Sequence, residues 1–142
     1  MLSLFVQVGA YTGGAHGNYG ASGLLWDQMA NREIEFANLF AEPANMDRLL
    51  TQRWCDALNL ARQEKLSGGY GVSDQCAPLS DLAVVPTDKD GDGRFERLIL
   101  TAGPYVAGSY AEGTYEVGLA VTPDLIAAIK ADYRASFEVQ PQ

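Results

Sequence analysis

Asp88-Lys89-Asp90-Gly91-Asp92-Gly93-Arg94-Phe95-Glu96 is the stretch of this chain whose residue types and spacing point most directly to chemistry. Three aspartates stand at alternate positions, a Gly-Asp-Gly turn runs through them, and Glu96 follows Asp92 by four residues. A short loop of this kind folds its carboxylates inward around a hard cation. Calcium takes about six to eight oxygen ligands at roughly 2.3–2.6 Å. The side chains of Asp88, Asp90, Asp92 and Glu96, with the backbone carbonyl of Arg94, supply most of such a shell. Without a cation, so many carboxylates in one loop repel one another. Magnesium suits the pattern less well, because it keeps several waters and takes few protein ligands. The simpler reading of the same residues is a tight Asp-Gly hairpin turn without a metal. That turn does not require three alternating aspartates and a spaced glutamate.

The first half of the loop resembles that of an EF-hand, with Gly93 at the sharp-turn position. The resemblance stops at position twelve, where Ile99 stands in place of a bidentate glutamate. The flanks Leu82-Ala83-Val84-Val85 and Phe95–Leu100 are short, apolar and rich in β-formers, so they read as strands. The strand–DxDGDGxxE–strand order is similar to the calcium loops of FG-GAP and VCBS-type β-hairpins. That resemblance spans about twenty residues and implies an ion site. It does not imply the propeller, which needs repeated copies.

The elements that would position this loop read as an α+β domain, with N-terminal helices followed by a small antiparallel sheet and a late C-terminal helix. Residues 1–23 form an apolar start, a strand or the tail of a helix, running into a glycine-rich linker from Tyr11 to Gly23. Residues 24–142 form one domain carrying the loop at 88–96. Leu25, Met29, Phe36 and Phe40 recur at helical spacing and predict a first helix from Leu24 to about Phe40, ended by Pro43. Asn45 is the expected N-cap of a second helix, with an apolar stripe of Met46, Leu49, Leu50, Trp54, Ala57, Leu58 and Ala61, and Gly68-Gly69 as its stop. Leu82–Val85, Glu96–Thr101 and Tyr115–Val121 are expected strands, and Tyr105–Tyr110 is a weaker one. Thr122-Pro123-Asp124 is a helix start, followed by a face of Leu125, Ile126, Ile129 and Tyr133. Phe137 and Val139 suggest a final edge strand.

The chain of 142 residues is long enough for one domain with a real core. Its net charge of −8 disfavours nucleic acid and anionic membranes as partners. Cys55 and Cys76 are compatible with one disulfide or with two buried thiols, and their spacing fits neither a redox CxxC nor a zinc site. A calcium loop and a disulfide both suit an extracytoplasmic compartment. The apolar start lacks the basic residues of a signal peptide, so an exported form would have its targeting segment removed. Leu2–Val8 would suit packing on a neighbouring subunit or a membrane anchor outside this chain.

Two function classes follow. One is a calcium-stabilised structural or binding module that meets a protein partner or its own copies, such as a pilin-like filament or envelope-assembly subunit. The other is a cell-envelope enzyme or enzyme inhibitor with a calcium-shaped cleft, for which Glu33 or Glu35 would need a second carboxylate. His16, the only histidine, lies in the glycine-rich stretch with no nucleophile-elbow motif in the chain. Tyr105, Tyr110 and Tyr115 stand beside glycines and suit either a binding surface or ordinary sheet packing.

Overall fold

A computed structural model describes residues 1–67 and 75–141. These described residues are mostly β, with two antiparallel three-stranded sheets of order β1-β2-β3 and β4-β5-β6. The first comprises β1 (Leu2–Ala10), β2 (Asn18–Asp27) and β3 (Arg32–Ile34). The second comprises β4 (Ala83–Thr87), β5 (Arg97–Ala102) and β6 (Tyr115–Ala120). One long helix, α1 (Ala44–Lys65), lies between the sheets in sequence, and two short helices, α2 (Pro123–Ala128) and α3 (Ala131–Arg134), follow them.

The expected α+β order, N-terminal helices ahead of one sheet, is therefore corrected: the first of those helices, Leu24 to about Phe40, is strand and one 3₁₀ turn, and the second is α1, which lies between two sheets. Leu24 pairs with Leu4, and Leu25 pairs with both Ser3 and Ile34, in a continuous antiparallel ladder. The helical spacing of Leu25, Met29, Phe36 and Phe40 is coincidental, since Met29 is 98% exposed at the β2–β3 turn. Asp27 makes that turn: its Oδ1 accepts from the backbone N–H groups of Met29 and Ala30, at 2.9 and 3.0 Å. Asn31 then takes a positive φ of 52°, a conformation that asparagine tolerates. Phe36–Leu39 is one 3₁₀ turn. The glycine-rich stretch is a strand from Asn18 onward, because the apolar run of β1 needs a hydrogen-bonded partner.

Helix α1 stands where its apolar stripe places it, with Pro43 rather than Asn45 at the N-cap. Leu50, Trp54 and Leu58 are fully buried, and Trp54 Nε1 donates to the Ala77 carbonyl at 2.9 Å. Gly68 and Gly69, read as its stop, lie outside the described residues. The helix packs on β6. Register explains the choice of face: Leu98 opposes Leu119, Leu100 opposes Val117 and Ala102 opposes Tyr115, so all six buried side chains share one side of the sheet. The β1–β2 hairpin lies against β4, and Ala83–Pro86 is buried throughout as a result. Pro86, which cannot donate to a ladder, is tolerated because β4 is an edge strand.

The late helix begins as expected: Thr122 Oγ1 accepts from the Leu125 N–H at 3.3 Å, and Pro123 follows it. It does not run on to Tyr133. Ile129 turns extended and bridges Phe40, with Lys130 N–H donating to the Leu39 carbonyl at 2.8 Å and Ala41 N–H to the Ala128 carbonyl at 3.0 Å. Tyr105–Tyr110 is a turn region rather than a strand, and Phe137 makes a single bridge to Phe95 rather than an edge strand. Cys55 and Cys76 form a disulfide with their Cα atoms 5.6 Å apart. Among the described residues no helix is long and apolar enough to cross a membrane.

Candidate metal centre

The acidic loop connects β4 to β5, and the ladder pairs Thr87↔Arg97, Pro86↔Leu98 and Val85↔Ile99 hold its base. Local hydrogen bonds then shape it. Asp88 Oδ1 accepts from the Gly91 N–H at 2.6 Å, and its Oδ2 accepts from Gly93 at 2.8 Å. Asp90 Oδ1 accepts from the Asp92 N–H at 3.2 Å, and Asp92 Oδ1 from the Arg94 N–H at 2.8 Å. Gly91 and Gly93 take positive φ values of 80° and 94°, which is the conformational reason for glycine at those two positions. The alternating acids each turn the backbone back on itself and gather at the loop tip. Asp88, Asp90 and Asp92 each offer a carboxylate oxygen within 4.8 Å of the other two, so this group could hold a metal ion. The backbone N–H of Gly93, followed by those of Gly91 and Asp92, outweighs burial and holds the Asp88 carboxyl below the usual aspartate range.

Glu96 sits differently. It is 3% exposed, and its Oε1 accepts from the Lys89 N–H at 2.8 Å. Its Oε2 is buried and has no hydrogen-bond partner among the described residues. A buried carboxylate oxygen left in that state is costly, and a cation is the partner that its chemistry best accepts. Phe95 beside it is buried edge-on against Phe137, with ring centroids 5.5 Å apart.

One acidic residue at the centre was not anticipated from the sequence. Asp90, Glu96 and Glu138 form a second group whose ligand atoms lie within 4.8 Å of one another, and Asp90 belongs to both groups. Glu138 arrives from the segment after α3, carried there by the Phe95–Phe137 bridge. No spacing rule could find it, because that bridge is a tertiary contact. Burial, then Asp92, and then Asp90 and Glu96 push its carboxyl above the usual glutamate range, against the downward pull of Arg94. The Arg94 guanidinium turns to Glu138 Oε2 at 3.1 Å and to the Phe137 carbonyl at 3.0 Å. The donors brought together are all carboxylate oxygens, which suit a hard divalent cation rather than a soft metal.

The other candidate residues lie elsewhere. Glu33 and Glu35 line a cleft of about 610 Å³ with Arg32, Ile34, Asn38, Lys130 and Tyr133. His16 is not in that cleft; it stacks on Tyr110 at 3.6 Å between ring centroids, and its Nε2 is 3.2 Å from the Tyr105 hydroxyl. Tyr105 is held at a positive φ of 70° there. Tyr115 is instead a core residue of β6, with its hydroxyl donating to Glu112 at 2.8 Å.

No protein-family model matches the chain, and no curated protein matches it. The geometry of the loop therefore carries the functional argument by itself.

Proposed function

We propose that this chain is a calcium-stabilised, extracytoplasmic structural or binding module, with the cation held by Asp88, Asp90, Asp92, Glu96 and the backbone carbonyl of Arg94. The observation that carries this reading is the buried, unpartnered Oε2 of Glu96 beneath a loop that already gathers three aspartates. Calcium is preferred over magnesium because the protein offers many charged oxygens in one loop. The loop then works as in the β-hairpins it resembles: the ion neutralises like charges and fixes the turn between two core strands. The disulfide supports a compartment outside the cytoplasm.

The role in assembly or partner binding rests on β1. Leu2, Leu4, Phe5, Val6 and Val8 are exposed on a strand that pairs only with β2 among the described strands. An edge that is both apolar and unpaired is a template for another chain. An enzyme or inhibitor role has weaker support. The cleft holding Glu33 and Glu35 is lined by Arg32 and Lys130 as well, and among the described residues no histidine, serine or cysteine lines it.

A thermal melt in millimolar calcium, against chelator and with magnesium as control, tests the site. Binding to the folded state alone adds about 2.7 kcal/mol at a hundredfold excess over Kd, a rise of several degrees in Tm. The Asp88→Ala/Asp92→Ala double variant should lose that rise while keeping the far-ultraviolet signal of α1. Equal melting of parent and double variant in calcium and in chelator would reduce the loop to a hairpin turn.

A further inference from the structure

We propose that Glu138 is a further ligand of the same cation, so that metal binding fastens the segment following α3 to the 88–96 loop. The proposal rests on the calcium reading of that loop and extends it to a residue outside the motif. Two independent features lead to it. Glu138, Glu96 and Asp90 each bring a carboxylate oxygen within 4.8 Å of the others. Glu96 contributes a buried Oε2 that has no hydrogen-bond partner among the described residues.

Glu138 is also held in place by its backbone. Its N–H donates to the Phe95 carbonyl at 3.0 Å, and the Phe95 N–H donates to Ser136 at 2.8 Å. Those two bonds fix the segment on either side of Phe137, whose ring is buried against Phe95. The side chain is thus delivered to the loop by the core and not by chance at the surface.

The alternative role for Glu138 is its pair with Arg94. That pair is half-exposed on the arginine side, and exposed pairs contribute little. One guanidinium does not account for three carboxylates drawn together. Arg94 is better read as the counter-charge that occupies Glu138 until a divalent cation competes for it.

Calcium titration of the metal-free full chain by calorimetry tests this, together with amide hydrogen exchange. Glu138→Gln keeps the size and removes the charge, and it should weaken calcium binding by about tenfold or more. Arg94→Ala keeps the backbone carbonyl, removes the competing guanidinium, and should tighten binding. Calcium should slow exchange at the Phe95 and Glu138 amides in the parent and not in Glu138→Gln. Parent-like affinity in Glu138→Gln would overturn the proposal and leave the loop site standing. Equal weakening by Glu138→Gln and Arg94→Ala would also overturn it, because the ion pair would then merely support the loop. A parent chain that binds no calcium would overturn the loop site and this proposal with it.

Discussion

At the scale of single residues, acids in this protein act through the backbone N–H groups they accept from. Asp27 closes the β2–β3 turn, Asp88 closes the acidic loop, and Glu112 closes a 3₁₀ turn at Tyr110–Glu112. Glu112 is the clearest case away from the acidic loop. Its carboxylate accepts from the Ser109 N–H at 2.6 Å and from the Tyr115 hydroxyl at 2.8 Å. These bonds, Ser109 first, hold its carboxyl below the ordinary value of 4.5. Burial, and then Glu112 itself, push the Tyr115 hydroxyl up to about 12. A lowered glutamate favours the fold above its ordinary value, and the contribution disappears as pH falls through the folded-state value. Glu112→Gln should therefore be less stable than the parent at pH 7, with the gap closing as pH drops below about 4.5. Parallel denaturant melts from pH 7 to pH 3 check this, and a gap constant with pH would show that the charge plays no part.

The elements divide by how their patterns arise. Helix α1 and strand β6 were legible in the sequence because each buries one face at its own period, and β4 and β5 because they are short apolar runs rich in β-formers. The first sheet was not. Its strands are short on core contacts, β1 is exposed on both faces, and its glycines read as a linker. Gly23 is there for close approach. A Cβ on Gly23 would lie 2.5 Å from the Val84 carbonyl oxygen and 3.2 Å from the Val85 side chain. Backbone cannot yield as a side chain does, so Gly23→Ala should force the hairpin off β4 and cost about 1–3 kcal/mol. Chemical unfolding measures the loss. A variant as stable as the parent would mean that the hairpin does not rest on β4 in solution. The break at Ile129 has a similar origin: a backbone pairing with Phe40 outweighed a helical pattern.

In the whole molecule, α1 and the second sheet enclose one core, and the disulfide ties that helix to the chain just before β4. Closing a loop of 21 residues restricts the unfolded chain by roughly 3 kcal/mol. Cys55→Ser/Cys76→Ser should lower the urea midpoint by the equivalent of about 2–5 kcal/mol. A midpoint equal to the parent's would show that the bond adds nothing to stability. The sequence by itself determined what local spacing and composition can encode: the acidic loop, its two glycines, the strands on either side, the stripe of α1 and the cap at Thr122. Tertiary structure decided the rest. An exposed apolar run becomes a strand only when β2 pairs with it, and two cysteines bond only when α1 brings them together. Glu138 reaches the loop only because Phe137 is buried against Phe95, a contact between distant parts of the chain that no local pattern records.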